Sequence, residues 1–241
     1  MRKLLLLFLV LTLLVLPASA DVLTQDWQSA DLDELLAAQS AIANEISTRR
    51  AAEQPTVQAF TSSGSGTTIL SNIEVPYSPA RVTFTADSKA SLSLPGKYDH
   101  TYQLTSAGTV VELLDDQSTY NAMITASGAW SLTIEPIVAG QTLPFSGTGD
   151  GVSDFFQLTT PVIATISWDA SGVTGWFNQM SVTMCHQYKN ISAWQSDLLL
   201  NELDLDVTGS VDVILSPTQG RDEYCFAVSA ADGLKWSISY K

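Results

Sequence analysis

Few side chains in this chain could do chemistry. There are two histidines, His100 and His186, and two cysteines, Cys185 and Cys225. Neither histidine lies in a metal-ligand spacing such as His-Glu-x-x-His, so nothing in the sequence points to hydrolytic zinc. Serine is abundant, but no Gly-x-Ser-x-Gly stands at a strand-to-helix turn, and Gly64-Ser65-Gly66 reads as the start of a flexible loop. Acidic residues occur in pairs at Asp115 and Asp116, Asp150 and Asp154, and Asp204 and Asp206. Calcium needs six to eight oxygen ligands, and no complete calcium-binding repeat is present, so these pairs read as a solvated acidic face. No metal and no cofactor is expected, and no catalytic residue is assigned.

Two other groups carry more weight. Met180, Val182 and Met184 alternate to one side of a strand pattern, as do Tyr224, Phe226 and Val228. Cys185 and Cys225 then fall on the opposite side of their strands. If those strands are neighbours, the two sulfurs share a face and can form a disulfide closing a loop of about 40 residues, contributing about 2–4 kcal/mol. Trp168, Trp176, Tyr188 and Trp194, with Phe177, lie in or near loop-like sequence and could stack on sugar rings. Against that, a tryptophan in an alternating strand also fills the space between two sheets.

The elements that must position these residues begin after an export signal. Arg2 and Lys3 precede an apolar run from Leu4 to Leu16, followed by Pro17 and Ala18-Ser19-Ala20, which predicts a cleaved signal peptide over 1–20. No later segment is long and apolar enough to span a bilayer. The whole chain carries a formal charge of −14, and loss of Arg2 and Lys3 leaves −16. Such a field repels phosphate and argues against a nucleic-acid partner.

From Ser29 to about Glu53, Leu32, Leu35, Leu36, Ile42 and Ile46 recur at helical spacing and predict one amphipathic helix within 21–55. Asp31 and Glu34 suit its start, and Pro55 ends it. Its apolar stripe would dock on the rest of the chain, tether it, or mediate self-association. Beyond Pro55 the period changes to two, as in Arg81-Val82-Thr83-Phe84-Thr85 and Val211-Asp212-Val213-Ile214-Leu215. Many short strands with Gly-, Ser- and Asp-rich turns predict β-sandwiches.

An internal repeat divides this region. Ser63-Gly64-Ser65-Gly66 is echoed by Ser146-Gly147-Thr148-Gly149, and Gly128-Ala129-Trp130-Ser131-Leu132 by Gly233-Leu234-Lys235-Trp236-Ser237. Two related jelly-roll-like modules are therefore expected, over 56–137 and 138–241. The glycine-rich start at Phe145 to Asp150, Leu198-Leu199-Leu200-Asn201-Glu202-Leu203, and Ala231-Asp232-Gly233 with Trp236 resemble a β-sandwich module of exported proteins of Gram-positive and related bacteria. The first module has Val111-Glu112-Leu113-Leu114-Asp115-Asp116 where the second has its Leu-Leu-Asn-Glu segment. The architecture is broadly similar to pre-peptidase C-terminal and carbohydrate-binding-like sandwiches. That resemblance implies an accessory or binding role. The expectation is a secreted or cell-surface bacterial binding protein, with a protein ligand first and a glycan second; a secreted hydrolase is the remaining alternative.

Overall fold

The computed structural model describes residues 58–96, 99–175, 177–187, 194–218 and 223–241, without the side chains of Gln187 and Trp194. Every regular element among them is a strand. This corrects the expected class from mainly β with one helix to all-β. Segment 29–53, where the spacing predicts the amphipathic helix, and segment 1–20, the expected signal peptide, lie outside the described residues.

The first sandwich contains β1 (Phe60–Ser65), β2 (Thr68–Val75), β3 (Ala80–Ala86), β4 (Ala90–Leu94), β5 (His100–Leu104), β6 (Gly108–Leu114), β7 (Ser118–Ala126) and β8 (Ala129–Pro136). They form two sheets of order β1-β8-β3-β6 and β2-β7-β4-β5, with all neighbouring strands antiparallel. This is the order of a jelly roll, in which the chain crosses between two facing sheets. Alternation builds its core. Val82, Phe84, Leu132 and Ile134 from one sheet meet Leu92, Tyr120 and Ile124 from the other, while Thr83, Ser91, Thr119 and Thr125 face away.

The second sandwich repeats the plan. It contains β9 (Phe145–Thr148), β10 (Gly151–Val152), β11 (Phe156–Gln157), β12 (Val162–Asp169), β13 (Met180–Gln187), β14 (Trp194–Glu202), β15 (Thr208–Leu215), β16 (Glu223–Ala230) and β17 (Lys235–Tyr240). One sheet runs β9-β17-β12-β15; the other runs β10-β16-β13-β14, with β11 also pairing β16. Strand by strand this matches the first sandwich, the split pair β10 and β11 standing where β2 stands. Its core centres on Val182, Met184, Ile166, Phe226, Tyr224 and Ile238.

The glycine–tryptophan repeat has a physical basis in this order. The first strand of each sandwich pairs with the last, which sets Gly64 opposite Trp130 and Gly147 opposite Trp236. A β-carbon on either glycine would come within 2.7 Å of the indole ring. The ring lies over bare backbone, and its Nε1–H donates to the carbonyl of the next glycine, Gly66 at 3.1 Å or Gly149 at 2.6 Å. Both of those glycines have positive φ, 72° and 69°, which the turn into the second strand requires.

The two sandwiches touch. Ile137, Val152, Cys185 and Cys225 are buried between them with Val111, Leu113, Phe155 and Ala227. Arg81 on β3 locks the contact. Its Nε donates to the carbonyl of Val152 at 2.9 Å, one terminal nitrogen to Glu135 at 2.8 Å and the other to Asp154 at 2.8 Å.

Candidate functional site

Of the four aromatic candidates, Trp176, Tyr188 and the side chain of Trp194 lie outside the described residues. Trp168, on β12, is half-buried and packs against the second core. It stands beside Trp236 on β17 and opposite Gly209 on β15, where an added β-carbon would meet its ring at 2.4 Å. Its indole N–H donates to the carbonyl of Asp206 at 3.1 Å. The same position in the first sandwich is Ala86, between Trp130 and Gly108. Trp168 is thus a third tryptophan laid over a glycine, with its polar atom already engaged. Phe177 is exposed.

An open recess lies on the first sandwich. Where β4, β5 and β7 run side by side, Ser91 pairs with both Gln103 and Thr125. These three, with Lys89, Thr105 and Ser127, line a groove of about 550 Å³. The strand register fixes the spacing of the row, because neighbouring strands stand about 4.8 Å apart. Ser127 donates to Ser88 at 3.1 Å beside the groove. The lining offers hydroxyl, amide and ammonium groups and no carboxylate. It can hydrogen-bond a polar, uncharged ligand, and it holds no nucleophile–base pair.

A second group sits where β5 begins and β6 turns into β7. His100, Asp115 and Asp116 present potential ligand atoms within 4.8 Å of one another. Tyr120 donates its hydroxyl to Oδ1 of Asp116 in a short hydrogen bond, and His100 Nε2 lies 3.3 Å from the same oxygen. Burial, the bond to Asp116 and the surrounding charges push the Tyr120 phenol well above its ordinary range. The reading of the acidic pairs as a solvated face needs correction here. Asp116 is only 6 % exposed, and although Asp115, Asp204 and Asp206 do face solvent, Asp150 is half-buried where the sandwiches meet. Asp150 accepts from the N–H of Ala230 at 3.0 Å. Burial raises its pKa, and burial together with the charge of Asp150 lifts Glu112 from 4.5 to about 6.

The cysteines lie as the alternation predicts, on neighbouring strands and directly opposite, Cys185 on β13 against Cys225 on β16. Both are buried free thiols, and the face they share is covered by the first sandwich rather than by water. Their mutual hydrogen bond, with burial, holds Cys225 protonated well above the ordinary thiol range, while the same bond draws Cys185 down.

Comparison with known proteins adds little. No family model matches the chain, pre-peptidase C-terminal domains included, and no curated protein matches it. Among solved structures, the N-terminal CBM22-1–CBM22-2 tandem domain of Xyn10C from Paenibacillus barcinonensis is similar at 9 % identity and a TM-score of 0.27, covering 78 % of this chain and 93 % of that one. No helix among the described residues is long and apolar enough to cross a membrane.

Proposed function

We propose that this chain is an exported, non-catalytic binding protein whose ligand is a glycan, taken in the groove across β4, β5 and β7. The observation that carries this reading is the row Gln103–Ser91–Thr125, in which one amide and two hydroxyls are held in register on three adjacent strands of an otherwise strongly acidic chain. Sugar hydroxyls are uncharged donors and acceptors, and such a row answers them without paying the desolvation cost of an ion. Export follows from the basic, apolar and small-residue sequence of the first twenty positions. Trp176, Tyr188 and Trp194 are the proposed stacking surface of the second sandwich.

Binding is tested by retention on insoluble polysaccharides and by titration with soluble ones. Gln103→Ala combined with Ser91→Ala should weaken binding about thirtyfold, since each lost hydrogen bond is worth about 1 kcal/mol. Trp176→Ala with Trp194→Ala tests the second surface in the same assay. A protein that binds no glycan, or whose binding survives both pairs of substitutions, overturns the reading. A protein ligand is the second reading, favoured by the exposed apolar pair Ile163 and Ile214, which face each other across β12 and β15.

A further inference from the structure

We propose that His100, Asp115 and Asp116 form a binding site for a divalent transition metal ion where β5 begins and β6 turns into β7. The three side chains come from two places in the chain, the first residue of β5 and the turn between β6 and β7, and their ligand atoms converge to within 4.8 Å. Convergence of acidic groups alone would mean little. The deciding observation is that Asp116 is 6 % exposed and its Oδ2 has no hydrogen-bond partner among the described residues, although Oδ1 has both Tyr120 and His100. Beside it the hydroxyl of Tyr102, on a residue 8 % exposed, is also without a partner. Buried carboxylate oxygens are rarely left bare, because an unpaired one loses its hydration and gains nothing in return. A cation held by the carboxylates of Asp115 and Asp116 and the imidazole of His100 would give the buried carboxylate the partner it lacks.

The ligand set indicates the class of ion. Calcium and magnesium prefer all-oxygen shells, whereas one imidazole nitrogen with two carboxylates suits zinc and its first-row neighbours. Asp115 is exposed and His100 only partly buried, so the remaining coordination positions open to solvent. Tyr120 orients Asp116 as an outer-shell partner does. In the second sandwich the tyrosine at the same position, Tyr224 opposite Phe156 where Tyr120 is opposite Ile73, accepts the backbone N–H of Thr218 at 2.6 Å and has the ring of His186 against it, with centroids 5.6 Å apart.

The test uses the full exported protein without a polyhistidine tag, stripped with a chelator and titrated with Zn²⁺ by calorimetry and with Co²⁺ by visible absorption. One equivalent of Zn²⁺ should bind, Co²⁺ should give ligand-field bands, and the melting temperature should rise with added Zn²⁺. His100→Gln and Asp116→Asn should each weaken Zn²⁺ binding at least about tenfold. Asp115→Asn removes an exposed ligand while leaving the Tyr120–Asp116 bond in place, so it keeps the test valid if Asp116→Asn does not fold. Asp204→Asn, at an exposed acidic position elsewhere, should change nothing. Zn²⁺ binding that is absent, or insensitive to His100→Gln and Asp115→Asn, overturns the site; Ca²⁺ binding in place of Zn²⁺ overturns the assignment of the metal class.

Discussion

The two sandwiches share a strand order and a tryptophan-on-glycine lock, yet they differ in what surrounds one buried tyrosine and in what fills one β-strand position. Tyr120 donates to a buried carboxylate in the first, whereas Tyr224 accepts a backbone N–H in the second. Ala86 in the first is Trp168 in the second. Shared positions carry the packing that closes each sandwich, and the positions that diverge hold the buried carboxylate of Asp116 and the extra indole of Trp168. In a duplicated fold, departures from the common plan are the better guide to sites.

The strongest way to break this comparison is to remove the shared lock. Trp130→Ala and Trp236→Ala should each cost about 3–5 kcal/mol in urea unfolding, because each indole is at most 5 % exposed and leaves a large cavity. Unequal losses would show that the lock serves only one sandwich. Next in size, Arg81→Ala removes three hydrogen bonds from a largely buried guanidinium and strands two carboxylates. A loss of about 2–3 kcal/mol is expected, with separate unfolding transitions for the two sandwiches in calorimetry as they uncouple. Gly64→Ala and Gly147→Ala should each cost about 1–3 kcal/mol, since the new methyl group meets an indole.

The smallest effect is one of pH. Glu112 has a folded pKa of about 6 against an ordinary 4.5, and Asp150 is raised in the same sense. The protonated form of each is favoured in the folded state, and the Glu112 contribution to stability is fully present below about pH 4.5 and is lost as pH rises through about 6. Glu112→Gln should flatten the melting-temperature profile across that window and raise the value at pH 7 by a few degrees.

Much of this architecture was readable from alternation alone, because half-buried strands show inward and outward residues directly, as in Arg81-Val82-Thr83-Phe84-Thr85. The repeat was readable too, but the lock was not: Gly64-Ser65-Gly66 reads as the start of a flexible loop, whereas Gly64 and Ser65 belong to β1 and Gly64 lies against the Trp130 ring. What period two could not show was which strand neighbours which, and so His100 and Asp116, 16 positions apart, gave no metal-like spacing. A signal for them existed in the parity. Asp116 continues the inward set of Leu114, and His100 begins that of Tyr102 and Leu104, so both point toward the core side of their strands. Trp168 resembled a platform because its neighbours are loop-like; Gly209, the other half of its contact, is a lone glycine in a strand and was easily passed over. The helix expected over 29–53 lies in sequence the structure does not describe, and the described chain is β throughout.

The pairing of first strand with last sets the timing of folding. Phe60 meets Ile134, so neither sheet edge nor tryptophan lock of the first sandwich can form until its final strand is available. A chain delivered from its N-terminus must keep β1 unpaired through the synthesis of the next seven strands. Closing so long a loop before any reward places such topologies among the slow two-state folders, in the range of about milliseconds to seconds. A polypeptide of this kind stays threadable for longer than a helical one of equal length, and each sandwich snaps shut only when its own end arrives.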